Sequence, residues 1–306
     1  GLPVGPIGAC DYLLSVANLR VIPQRELDLA RRGAVNFHDG PLPERAGLNA
    51  PVWALIEGAA DHAITWHRIS GGVDEGPVLL REPVAIEPDD TALTLNARCW
   101  EAAQRSLPRL LDLLEAGADQ GSPQSHAPLR RHMRTDRPAL AGLLDPAAGA
   151  DALARLVRSL DHGPYWNPLL RARIMLGGRP LLVSGAEIVA QLVGEGAGTV
   201  LDVSGNSVVI ACGDGRALRL TGLTRPDGTT PDPVACIGEV VPSPRPDDDL
   251  EDAVRHAARD EAHWRGRLAA MAPLVLPETI ATDAAPDWTP ADPELNLPMP
   301  AVSVMA

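Results

Sequence analysis

Ten residues, Ala34-Val35-Asn36-Phe37-His38-Asp39-Gly40-Pro41-Leu42-Pro43, leave the backbone little choice. A mostly apolar run meets a glycine and two prolines, which reads as a short strand entering a turn. Side chains alternate along a strand, so Asn36 and His38 share one face while Val35 and Phe37 take the other. The apolar pair suits a core. The amide and the imidazole, about 6.6 Å apart by the usual strand rise, stand side by side near the strand's C-terminal end, where open α/β sheets hold their ligands. Asp74 follows in the glycine-rich loop Gly71-Gly72-Val73-Asp74-Glu75-Gly76 and completes a candidate three-residue site.

Charge narrows the chemistry. The net charge is −13, and all 27 basic residues are arginines, because the chain has no lysine. Walker-type phosphate loops and Schiff-base chemistry both need a lysine, so both are excluded. Nucleic-acid binding rests on clustered basic residues, and here the arginines are dispersed among acids. No nucleic acid is expected as a partner. No run of about 18 apolar residues suggests a membrane span, and no secretory leader opens the chain. Cys10, Cys99, Cys212 and Cys236 form no C-x-x-C pair, so reduced thiols, a cytoplasmic location and no metal site are expected. His62 and His67 are five apart around a strand and make a poor metal pair.

The patterns predict a strand over 11–16 and a helix over 23–32 with Pro23 in its first turn. After the Asn36/His38 strand come a helix over 49–57 and strands over 63–69 and 78–82, joined by the Asp74 loop. A long amphipathic helix starts near Asp90 or Thr91, facing Leu93, Cys99, Leu107, Leu110, Leu111 and Leu114 inward, with a bend at Pro108. Residues 117–150 read as a linker wrapping the surface, with His126 and His132 lacking an evident role. A helix over 151–160 leads to short strands over 180–183, 199–203, 208–211 and 217–220, with a hairpin signal at Gly213-Asp214-Gly215. A last helix, capped by one of Asp247, Asp248 or Asp249, runs to about Met271, and a Pro/Ala-rich tail follows.

Several segments together resemble the 10-formyltetrahydrofolate-dependent formyltransferases: the Asn36-x-His38 pair with Asp74, Leu19-Arg20-Val21-Ile22-Pro23, Gly40-Pro41-Leu42-Pro43 and Gly72-Val73-Asp74-Glu75-Gly76. Within that family, His38-Asp39-Gly40-Pro41-Leu42-Pro43, Ala46-Gly47-Leu48-Asn49-Ala50-Pro51 and Asp161-His162-Gly163-Pro164-Tyr165-Trp166-Asn167-Pro168 look closest to the formylating domains of nonribosomal peptide synthetases. Glu261 to Leu268, followed by Leu274-Val275-Leu276-Pro277, resembles the connector into a further synthetase module. The resemblance implies an α/β, Rossmann-like formyltransferase core over 1–135, a linker over 136–150, a small β-barrel subdomain over 151–242 and a helical and Pro-rich connector over 243–306. It also implies βα units ahead of Gly1, so the core is expected to be N-terminally truncated, with strand 11–16 short of a neighbour.

The same resemblance implies 10-formyltetrahydrofolate as formyl donor, held by Leu19, Arg20, Val21, Ile22, Gly72, Val73 and Asp74, with Tyr165 and Trp166 lining the acceptor entrance. Asn36 and, if protonated, His38 would donate to the formyl oxygen, and Asp74 would take the proton of the attacking amine. Asp39 is the alternative acid, ranked behind Asp74 because adjacent strand residues point apart. Arg20 reads equally well as a folate-carboxylate contact or as an exposed arginine. A carrier-protein-bound aminoacyl group, in an adjacent synthetase module, is the first-choice acceptor. A small-molecule amine such as a nucleotide amino sugar, methionyl-tRNA, formyl-folate hydrolysis and an inactive docking module are the alternatives.

Overall fold

The computed structural model describes residues 8–124, 130–231, 234–244 and 248–271. Asp247, His126 and the segment Leu274-Val275-Leu276-Pro277 lie outside them. The chain divides into two compact units, Gly1–Ala262 and His263–Ala306. Elements of the first half are β1 (Leu13–Ser15), α1 (Gln24–Leu27), β2 (Ala34–His38), β3 (Arg45–Gly47), α2 (Ala50–Glu57), β4 (Asp61–Arg68), β5 (Val78–Ala85) and α3 (Ala92–Glu115). Then come β6 (Arg130–His132), α4 (Ala150–Ser159), β7 (Arg173–Leu176), β8 (Arg179–Leu182), β9 (Gly185–Leu192), β10 (Val200–Ser204), β11 (Ser207–Ala211), β12 (Arg216–Thr221) and α5 (Asp248–Ala269).

The first sheet has the order β1-β2-β4-β5, with β1 parallel to β2 and the remaining pairs antiparallel. Among the described residues β1 is its edge, and Leu14 and Val16 are exposed there. One face packs on α3, joining Val35, Phe37, Ile64 and Trp66 to Leu95, Cys99, Ala102 and Leu110. Thr91 caps α3 by accepting the Thr94 N–H at 3.2 Å while Thr94 Oγ1 answers to the Thr91 N–H at 2.9 Å, a reciprocal box that fixes the expected start. Leu93 and Leu111, expected inside, are exposed. The buried stripe runs through Leu95, Cys99, Ala102, Ser106 and Leu110, and at about 100° per residue the other two leucines fall off it. The helix continues through Pro108.

The helix predicted over 23–32 stops after one turn. Arg31 and Arg32 instead donate their N–H groups to the carbonyls of Cys10 and Asp11, at 2.9 and 2.8 Å, because the chain must return beside β1 to begin β2. The segment read as a linker contributes β6, which pairs with β3.

The second sheet has the order β10-β11-β12-β9, all antiparallel, and the β7–β8 hairpin forms a separate two-stranded sheet whose Leu182 bridges to Thr224, just beyond β12. The C-terminal part is thus rich in sheet, as the family resemblance implies. The Gly213-Asp214-Gly215 turn does connect β11 to β12, whereas β7 and β9 were not foreseen. α4 buries Leu153, Ala154 and Val157 against this sheet. α2 serves both cores, with Leu55 in the first and Val52 and Trp53 in the second. Among the described residues, no helix is long and apolar enough to cross a membrane.

Candidate active site

The sheet face opposite α3 carries the polar residues. Register pairs Asn36 with His67 and His38 with Thr65, which sets the four side chains next to one another on neighbouring strands. Asp74 reaches the same place from the loop after β4. It sits at φ 60°, a left-handed conformation that aspartate tolerates better than most residues. Its carboxylate is buried. Oδ2 accepts the Gly47 N–H at 2.8 Å and lies 3.7 Å from His38 Nδ1, while Oδ1 lies 3.5 Å from His67 Nε2. The structure thus brings Asn36, His38 and Asp74 into one cluster and adds His67 to it.

β3 supplies the cluster with backbone partners. His38 Nε2 donates to the Arg45 carbonyl at 2.7 Å, and Gly47 gives its N–H to Asp74. Gly47 has φ +91°, and a Cβ there would stand 2.1 Å from the His132 carbonyl oxygen, so no other residue fits without moving β6. Glu57 holds β3 down from α2 through Arg45 and, at 2.8 Å, ties in Arg130. Burial alone would raise the Glu57 carboxyl, but the two guanidinium groups outweigh it and hold it below the usual range. His132, without an assigned role in the sequence, stacks on Trp53 at 4.0 Å with planes 6° apart.

For Asp74, burial alone would likewise raise the carboxyl. The His38 imidazole and the Gly47 N–H act against that effect, and the carboxyl is held below the usual carboxylate range, so it is ionised at neutral pH. Asp39, ranked behind Asp74, also comes close: its Oδ1 lies 3.9 Å from His38 Nδ1. Strand pairing ends at His38 and the chain bends at Asp39, so strict alternation no longer applies to it. Burial pushes the Asp39 carboxyl up, with His38 pulling the other way.

Gln124, unnoticed in the sequence, clamps the Asp74 loop. Its amide donates to the carbonyls of Asp74 and Gly76 at 2.7 and 2.8 Å. Leu19, Val21 and Val73 are exposed apolar side chains, and Gly72 is exposed beside them in sequence. Ile22 instead packs toward Leu13, and Arg20 pairs with Glu26 at 3.1 Å. Tyr165 and Trp166 are exposed; their loop is tied to the start of α3, where Leu93 donates to the Asp161 carbonyl at 3.1 Å. Among the described residues, no group of three or more His, Cys, Asp or Glu is placed to hold a metal ion.

His62 points to the α3 side of the sheet and lies 2.7 Å from the Asp39 carbonyl. Burial pushes it down to about 4. A histidine lowered in the fold stabilises the protein above its unfolded value, near 6.5, and that contribution disappears as the pH falls toward 4. Between pH 7.5 and pH 5 this one group is expected to remove about 2 kcal/mol of stability. Denaturant melts at both pH values, compared with His62→Gln, check it. The variant should show a correspondingly flatter dependence; equal slopes would remove His62 as the cause.

Comparison with known proteins shows what the chain is similar to. Residues 8–111 match the formyl transferase family, and residues 142–236 match the formyl transferase C-terminal domain. Methionyl-tRNA formyltransferase of Burkholderia mallei (strain ATCC 23344) is 34% identical over 220 residues, 71% of this chain. The chain spans 64% of the length of that relative. HypX from Aquifex aeolicus, solved in complex with tetrahydrofolic acid, superposes with a TM-score of 0.57 at 21% identity, over 71% of this chain and 36% of that one. An N-formyltransferase from Helicobacter canadensis, solved with folinic acid and dTDP-3-aminofucose, gives 0.53 at 13% identity over 68% and 72%. At these identities the two structures establish the fold.

Proposed function

Because the chain belongs to the formyl transferase family, we propose that it moves a formyl group from 10-formyltetrahydrofolate to a primary amine. The observation that carries this reading is the convergence of Asn36, His38 and Asp74 in one buried cluster. The exposed Leu19, Val21 and Val73 offer apolar surface for the flat ring system of the folate, and the Asp74 loop, clamped by Gln124, offers its backbone.

In the proposed reaction the amine nitrogen attacks the formyl carbon, the bond from that carbon to the folate nitrogen breaks, and the folate nitrogen ends with the proton the amine loses. Negative charge builds on the formyl oxygen, and a fixed amide donor is what such an oxygen needs. Asn36 supplies that donor. Asp74, ionised and buried, stabilises the positive charge developing on the attacking nitrogen and is the first acceptor of its proton, directly or through a water. His38 Nδ1, 3.7 Å away, is the next group on the path back to the folate. Its Nε2 is engaged by Arg45, so His38 serves the proton rather than the formyl oxygen in this arrangement.

For the acceptor, a carrier-protein-bound aminoacyl group remains our first choice. An α-amine with a pKa near about 8 is partly neutral at neutral pH, whereas a lysine-like amine near about 10.4 is almost wholly protonated. A net charge of −13 without any lysine weighs against holding a tRNA. An amino sugar is the runner-up.

A mass-spectrometric assay tests the reading: the chain with 10-formyltetrahydrofolate and aminoacyl carriers, dTDP-3-aminofucose, methionyl-tRNA or plain buffer. A formylated carrier is the expected product, lost in His38→Ala. A formylated sugar or tRNA would keep the reaction and overturn the acceptor. Deformylation in buffer alone would make the protein a hydrolase, and silence throughout would overturn the proposal for this chain.

A further inference from the structure

His67 stands directly opposite Asn36 across the β2–β4 pair and is 2% exposed. Its Nδ1 lies 2.9 Å from the Arg68 carbonyl oxygen and its Nε2 3.2 Å from Asn36 Nδ2. Asp74 Oδ1 is farther from Nε2, at 3.5 Å. A carbonyl oxygen only accepts, so Nδ1 carries a proton, and in the tautomer with that single proton the lone pair lies on Nε2. An amide NH2 only donates, which makes Asn36 the matching partner for that lone pair. The pairing of β4 with β5 also shifts register between Trp66 and His67, the kind of local bulge that re-aims a side chain at a site.

An asparagine amide has a broad, roughly two-fold terminal torsion. Left alone, Asn36 would present its oxygen as readily as its nitrogen, and an oxygen turned toward a developing oxyanion repels it. We propose that His67 is a positioning residue that takes one Asn36 N–H on Nε2, and so fixes the amide with its second N–H presented to the formyl oxygen. Arg68 sets the ring's tautomer by occupying Nδ1, and the amide then arrives at the reaction without reorganising. The role rests on the formyl-transfer reading above, but the hydrogen bond beneath it does not.

Two measurements separate them. Nitrogen-15 NMR of the histidine-labelled full chain at pH 7.5 is expected to show His67 neutral, with its proton on Nδ1 and an Nε2 resonance that shifts in Asn36→Ala. A proton on Nε2, or no response to Asn36→Ala, overturns the proposal. In kinetics, with the acceptor found above, His67→Leu should lower kcat about 10²-fold at unchanged KM for the folate. His67→Gln, which places an accepting oxygen near the lost nitrogen, should recover most of that loss. In the Asn36→Ala background, His67→Leu should cost no more than about threefold further, because the two act as one unit. Losses that multiply would mark a merely structural role and overturn the proposal. If the wild-type chain transfers formyl to nothing, the functional reading fails while the NMR result still decides whether His67 anchors Asn36.

Discussion

Asp74→Asn is expected to lower kcat for formyl transfer about 10³-fold at neutral pH, within the range that a positioned acid–base group supplies. The substitution keeps the shape and removes the charge. In the native site Oδ2 takes the Gly47 N–H, and both oxygens lie within 3.7 Å of an imidazole nitrogen. An asparagine keeps one acceptor for Gly47 but turns an NH2 toward His67. In the proposed reaction the amine would then attack with no anion to stabilise its developing charge. KM for the folate should stay within about threefold, since an interaction made only in the transition state lowers kcat and kcat/KM together. The carboxyl is held below the usual range in the fold, so the wild-type chain should show no acid limb from Asp74 at neutral pH. Asp39→Asn is the control: that carboxyl is a third exposed and pushed up by burial, and its loss should be much smaller. Steady-state kinetics on both variants decide the matter. A loss below about tenfold in Asp74→Asn would remove it from the chemistry.

How much of this was legible beforehand depended on the range of each interaction. Val35 and Phe37 inward with Asn36 and His38 opposite followed from strand alternation, a local rule, and the structure keeps it. The start of α3 at Thr91 was equally local. The short α1 was not, because the hydrogen bonds of Arg31 and Arg32 to Cys10 and Asp11 belong to a tertiary return of the chain. His67 escaped for a related reason. Its own periodicity shows only which face it takes, and its place opposite Asn36 depends on a register that two separated strands choose together. Gln124 and β3 contribute through backbone groups, whose donors and acceptors are the same in every sequence, so no side-chain pattern announces them. Asp39, ranked behind Asp74 by strand alternation, still comes within 3.9 Å of His38 Nδ1, because the strand ends at His38 and periodicity places such an end only loosely.

Trp66 carries the largest expected effect on stability, and it lies between the two residues of β4 that face the site. Its side chain is 1% exposed, its ring centroid lies 5.3 Å from that of Phe37, and its indole N–H donates to Ser106 Oγ at 2.9 Å. Trp66→Ala is expected to cost about 4 kcal/mol, combining lost burial with a cavity that β4 and α3 only partly close. Trp66→Phe keeps a ring in that space and gives up the hydrogen bond. Ser106 retains its own bond to the Ala103 carbonyl at 3.1 Å, so about 1–2 kcal/mol should be lost. Denaturant unfolding of both variants measures these costs, and a loss under about 1.5 kcal/mol in Trp66→Ala would mean the core re-forms around the gap. The activity of the same variants carries the argument into the site. Thr65 and His67 hang from the peptide groups on either side of Trp66, so a β4 that sags toward the cavity also draws His67 away from Asn36. Trp66→Ala should therefore lower kcat even at temperatures where it remains folded, while Trp66→Phe, with β4 still supported, should leave kcat close to that of the native chain.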